Sequence, residues 1–131
     1  MEVNMSKQVI HSDNAPAAIG PYSQAIAVPA GQLLFCSGQI ALRPDGSFVD
    51  GDAATQARQS MNNLGEVLKA ANMDFSHVTR CTIFMLDLND YAAVNAVYAE
   101  YFGDKPPSRA AVEVSRLPRD ARVEIDCIAV R

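Results

Sequence analysis

Apolar and polar residues along this 131-residue chain follow two rhythms. Residues 7–11, 23–28, 33–40, 107–117 and 123–130 are short runs in which apolar or β-branched residues recur at every second position, as in strands with one buried face. In the last two runs Ala110, Val112 and Val114 share one face, matched by Val123, Ile125 and Cys127. The opposite faces then carry Arg109 with Glu113, and Glu124 with Asp126. Residues 78–86 are almost continuously apolar and predict a central strand. Two other stretches change period. Ala54, Ala57, Met61, Leu64, Leu68 and Ala71 recur at three- and four-residue steps behind Asp52, a side chain able to cap free N–H groups, and predict a helix over 53–71. Gly65 within it costs about 1 kcal/mol relative to Ala and permits close helix–sheet packing. A second helix is expected from Asn89 as cap through Tyr91, Val94, Val97, Tyr98 and Tyr101 to Phe102, with Gly103 as its stop.

The predicted order is therefore β-β-β-α-β-α-β-β, an α+β domain covering 1–131 with 1–6 as a flexible tail. Pro29-Ala30-Gly31-Gln32 is short enough to join 23–28 and 33–40 as a hairpin, and Leu117-Pro118-Arg119-Asp120-Ala121 suits a hairpin between the last two strands. That second hairpin would bring Glu124 within reach of Arg109. The loop over 12–22 is rich in turn formers yet carries Ile19 and Tyr22, and is expected to pack down. Two helices cover one face of a sheet of about six strands, and nothing remains to cover the other, whose apolar residues call for other subunits.

Composition narrows the chemistry. The net charge is −4 and no basic run occurs, which argues against electrostatic nucleic-acid binding. No apolar run is long enough to span a bilayer, and the N-terminus lacks a signal-peptide pattern, so a cytoplasmic protein is expected. Cys36, Cys81 and Cys127 are odd in number, sit in apolar runs and predict buried free thiols. Neither His11 nor His77 has a partner at ligand spacing, and no metal or other cofactor is expected. What remains is Arg109, whose planar fork of donors suits a small carboxylate, and Glu124, which could hold a water or move a proton. A structural ion pair between the two is the commoner arrangement for such residues, and spacing alone leaves both readings open.

Three separated motifs decide further. Asn14 through Ala25, Ser37-Gly38-Gln39-Ile40 and the stretch from Arg109 to Glu124, together with Gln56-Ala57 and Asp87-Leu88-Asn89-Asp90, resemble the Rid (YjgF) family of imine deaminases from residue 7 to the end. The resemblance implies a chorismate-mutase-like fold assembled as a homotrimer around a barrel, with sites in the clefts between subunits. It also implies hydrolysis of 2-imino acids such as 2-iminobutanoate and 2-iminopropanoate to 2-keto acids and ammonia, which protects pyridoxal-phosphate enzymes from these reactive species. On that basis Arg109 binds the substrate carboxylate, and Glu124 orients the attacking water and takes its proton. Tyr22 and Ser37 hydrogen-bond water, imine nitrogen or leaving ammonia, and Gly38 lets a ligand approach the backbone. Ala111 stands where many active members carry cysteine. Water attack on an iminium carbon needs positioning and a proton acceptor, not a sulfur nucleophile, so activity is expected to survive this departure. A non-catalytic trimeric ligand-binding or regulatory protein is the competing reading, because some members of the wider family have other roles.

Overall fold

A computed structural model describes residues 7–29 and 31–131; the expected tail over 1–6 lies outside the described residues. All eight elements occur in the predicted order: β1 (Gln8–Ile10), β2 (Ala25–Ala27), β3 (Leu33–Gln39), α1 (Ala53–Ala70), β4 (Val78–Met85), α2 (Tyr91–Ala99), β5 (Ser108–Glu113) and β6 (Val123–Val130). Among the described residues, no helix is long and apolar enough to cross a membrane.

The six strands divide into two sheets. β1 and β2 form an antiparallel ribbon, and the others form a four-stranded mixed sheet in the order β3-β6-β4-β5. Neither expected hairpin forms. β2 turns back on β1, and β3 pairs with β6. β5 lies parallel to β4, while β6 enters between β3 and β4, antiparallel to both. The reason is α2, which carries the chain back over the sheet between β4 and β5. Such a crossover is the connection a parallel pair requires, and it leaves the slot beside β4 to β6.

Asp52 caps α1 by accepting from the Thr55 N–H at 2.8 Å, and Asn72 at φ 59° ends the helix in the left-handed region. The buried face of α1 includes Met61, Leu64 and Leu68, each fully covered. Each such side chain contributes about 1.5–3 kcal/mol of burial free energy. They pack with Ile83, Met85, Val123, Ile125 and the free thiols of Cys36, Cys81 and Cys127. Gly65 serves a different neighbour from the one expected: a Cβ there would approach the Phe75 ring to 3.1 Å. The second helix begins later and ends earlier than predicted. Asp87, not Asn89, caps the short turn before it by accepting from the Asn89 N–H, and the helix stops at Ala99.

The far face of the sheet is uncovered over much of its area. Leu33, Phe35 and Val112 are exposed there, Phe35 by 70%. One end is capped by a small cluster of Ile40, Leu117 and Ala121 with Leu42, Phe48, Phe84 and Val114. The loop over 12–22 is wound about Gln24, whose side chain accepts from Ser12 N–H at 2.6 Å and donates to Pro16 C=O at 2.7 Å. Ile19, expected to pack down, is instead 90% exposed, because that winding satisfies backbone groups without giving Ile19 an apolar partner among the described residues.

Candidate active site

Strand register settles where the two charged candidates lie. Arg109 is paired with Cys81, and Cys81 with Cys127, so these three share the face that the helices cover. Glu124 is paired with Phe84, which in turn pairs with Val112, on the other face. Arg109 and Glu124 therefore occupy opposite faces of one sheet, with β4 between their strands. The hairpin expectation that placed Glu124 across from Arg109 is corrected here, and the pair cannot form an ion bridge within one chain.

Arg109 is partly buried in a nest built by three parts of the chain. From α2, Asn95 Oδ1 accepts from Nη1 at 2.8 Å and Tyr91 Oη accepts from Nη2 at 2.9 Å. The guanidinium carbon lies 5.1 Å from the Tyr98 ring centre, 5.7 Å from that of Tyr91 and 5.5 Å from that of Tyr22. These are cation–π distances. Tyr22 arrives because Ser23 N–H and Oγ donate to the Pro107 and Pro106 carbonyls at 3.1 and 2.5 Å, fastening the end of the 12–22 loop to the start of β5. The Tyr22 hydroxyl accepts from the Ile19 N–H at 3.2 Å, which leaves its own proton free to donate. A Cβ on Gly20 would stand 3.7 Å from Arg109 Nη2, so the loop backbone also approaches the guanidinium closely.

No carboxylate lies within ion-pairing distance of Arg109 among the described residues; the ion pairs there involve other side chains. A partly buried cation among aromatic rings, with no carboxylate beside it and N–H donors to spare, can accept an anion. Tyr98 forms the floor. It is fully buried, its hydroxyl has no hydrogen-bond partner among the described residues, and its polar neighbour is the Cys81 thiol. Burial raises the pKa of both groups, the thiol to about 12, so neither ionises near neutral pH. Ala111 lies two residues along from Arg109 on the same face, paired with Ile83 and partly buried.

The second group sits on the far face. The position that a Gly38 side chain would fill is taken by Glu124: a Cβ there would come within 2.8 Å of Cδ and 3.0 Å of Cγ and Oε2. Gly38 thus admits the glutamate, where a ligand approaching the backbone was expected. The pairing of β3 with β6 slips between Cys36 and Gln39, which places Ser37 and Gly38 in an irregular, exposed stretch. Tyr22, Arg109 and Ala111 are therefore on one side of the sheet system, and Gly38 and Glu124 come together on the other. Sequence reasoning missed Asn95 as a partner and took Tyr91 and Tyr98 only as apolar contacts. The available signal was their spacing of four and then three residues, which puts all three on one face of α2.

The family model described as endoribonuclease L-PSP matches residues 12–131. Protein DfrA of Myxococcus xanthus is 58% identical over 127 residues, covering 96% of this chain and 97% of that one. The 2-iminobutanoate/2-iminopropanoate deaminase of Mus musculus is 47% identical over 126 residues, covering 95% and 92% of the two chains. Among solved structures, YyfB of Yersinia pestis, described as a protein of unknown function of the conserved Rid family, superposes with a TM-score of 0.89 at 27% identity, over 97% of this chain and all of that one.

Proposed function

The chain belongs to the endoribonuclease L-PSP family, also called Rid or YjgF, and on that premise we propose that it hydrolyses 2-imino acids to 2-keto acids and ammonia. The observation that carries this reading is Arg109, a partly buried guanidinium without a carboxylate partner among the described residues. Its remaining N–H donors suit the one group that every 2-imino acid carries, a carboxylate. The kinship with chains named as imine deaminases supplies the reaction class.

The separation of Arg109 from Glu124 supports a site completed by a second copy. The nest of Arg109, Tyr22 and Ala111 on one subunit would face Glu124, Gly38 and Ser37 on its neighbour, and the exposed Leu33, Phe35 and Val112 would be covered in the homotrimer. In that cleft Arg109 holds the carboxylate and so fixes the iminium carbon. Water, oriented by Glu124 with the Ser37 and Tyr22 hydroxyls, adds to that carbon while Glu124 takes its proton. Glu124 returns that proton to the nitrogen of the tetrahedral carbinolamine, the C–N bond breaks as the hydroxyl gives up its proton to Glu124, ammonia leaves, the ketone forms, and Glu124 releases the proton to solvent. Water is the only co-reactant.

The test is ammonia release from imino acids generated in situ by a threonine dehydratase, with and without the protein and its Arg109→Lys variant. The wild type should accelerate release. The lysine keeps the charge but loses the planar fork, and kcat/KM should fall at least about 10²-fold. Equal rates for wild type and variant would refute the clamp, and binding of 2-keto acids without turnover would favour a non-catalytic ligand-binding trimer.

A further inference from the structure

We propose that Tyr91 is a positioning residue of this site, acting through its hydroxyl on Arg109; the inference rests on the reading of Arg109 as the carboxylate clamp. An arginine has a long stem, and a clamp that must present a fixed pair of donors requires its plane to be set from outside. Three tyrosine rings approach the guanidinium, but ring faces restrain it weakly against rotation in its own plane. Hydrogen bonds at the edge supply that restraint. Asn95 holds Nη1 and Tyr91 holds Nη2, and the two stand four residues apart on α2, so one helix face grips both terminal nitrogens.

Of the three tyrosines around Arg109, only Tyr91 joins it through a hydroxyl. Tyr22 accepts from the Ile19 N–H, and Tyr98 meets the guanidinium only with its ring, its hydroxyl lying beside the Cys81 thiol. The grip occupies two of the five guanidinium donors and leaves three, enough for a two-oxygen contact with a carboxylate. Removing the Tyr91 hydroxyl frees Nη2 to turn, so the donors remain but their direction is lost. An Arg109 held only by Asn95 has one fixed point and therefore an axis about which it can swing.

The experiment is a double-mutant cycle with Tyr91→Phe and Arg109→Lys in the assembled protein, read by kcat and KM separately and by thermal unfolding. Phenylalanine keeps the ring and its packing on a partly exposed position, so folding and thermal midpoint should stay at wild-type values. The expected result is a roughly tenfold lower kcat/KM for Tyr91→Phe, with KM raised, and no further loss when it is added to Arg109→Lys. Losses that multiply in the double variant would overturn the inference, because Tyr91 would then act independently of Arg109. Wild-type kinetics for Tyr91→Phe beside a damaged Arg109→Lys would overturn it too, leaving the clamp intact. Wild-type kinetics for Arg109→Lys would instead remove the clamp and the function built on it.

Discussion

Replacing Gly38 by alanine separates the positioning of the proposed base from the stability of the fold. The added Cβ would meet Glu124 Cδ at 2.8 Å, whereas ordinary van der Waals contact begins at 3.4 Å, so the carboxyl carbon must withdraw by about 0.6 Å. Because Glu124 presents the end of a side chain there, rotation about its own bonds relieves the overlap without moving the sheet. Gly38 does not have a positive φ, so the backbone accepts alanine, and the lost freedom of the unfolded chain offsets the strain by about 0.4–1 kcal/mol. Net stability should change by less than about 1 kcal/mol, a shift of a few degrees in thermal midpoint. Catalysis is less tolerant, since a misplacement near 1 Å can cost about 10²-fold. We expect Gly38→Ala to fold and assemble like the wild type by circular dichroism and light scattering, and to lose at least about tenfold in kcat in the coupled ammonia assay. Wild-type kcat in the folded variant would refute the reasoning, since it would mean that the position of the Glu124 carboxyl does not matter.

Glu124→Gln keeps the shape of the side chain but removes the base, so binding of a 2-keto acid product should survive by calorimetry while kcat falls by about 10² or more. Because the site is proposed to draw on two subunits, unfolding and co-refolding Glu124→Gln with Arg109→Lys should restore up to about a quarter of wild-type activity through interfaces holding both native residues; no recovery in mixed trimers would place the two residues in separate sites. Ala111→Cys should change turnover by less than about tenfold, and a protein inactive with alanine but active with cysteine would assign the sulfur a chemical role. Burial raises the pKa of Cys36, Cys81 and Cys127, the Cys81 thiol to about 12, and the thiolate alone is nucleophilic. Iodoacetamide at pH 8 should therefore leave the native thiols largely unmodified in a mass spectrum while labelling all three in denaturant; rapid native labelling of Cys81 would contradict its burial.

The order and type of the six strands and two α-helices were legible locally, because a strand or helix must repeat its apolar residues at the period of its own geometry. Asp52 as a cap, the core positions Met61, Leu64 and Leu68, the buried thiols and the uncovered sheet face all follow from residues close together in the chain. Arg109 also stood out locally, since its planar fork of donors suits a small carboxylate. Strand pairing was not legible. The period-two pattern says which residues share a face of their own strand, yet it does not say which strand lies beside it, and a two-stranded return between 107–117 and 123–130 satisfies the local signals as well as the crossover does. Only the packing of α2 on the sheet decides for β5 beside β4 and β6 between β4 and β3. That choice puts Arg109 under Tyr91, Asn95 and Tyr98 and sends Glu124 to the opposite face, against Gly38. Long-range contacts between residues distant in sequence fix which side chains meet, and for this protein those contacts separate the two charged residues that local pattern had set side by side.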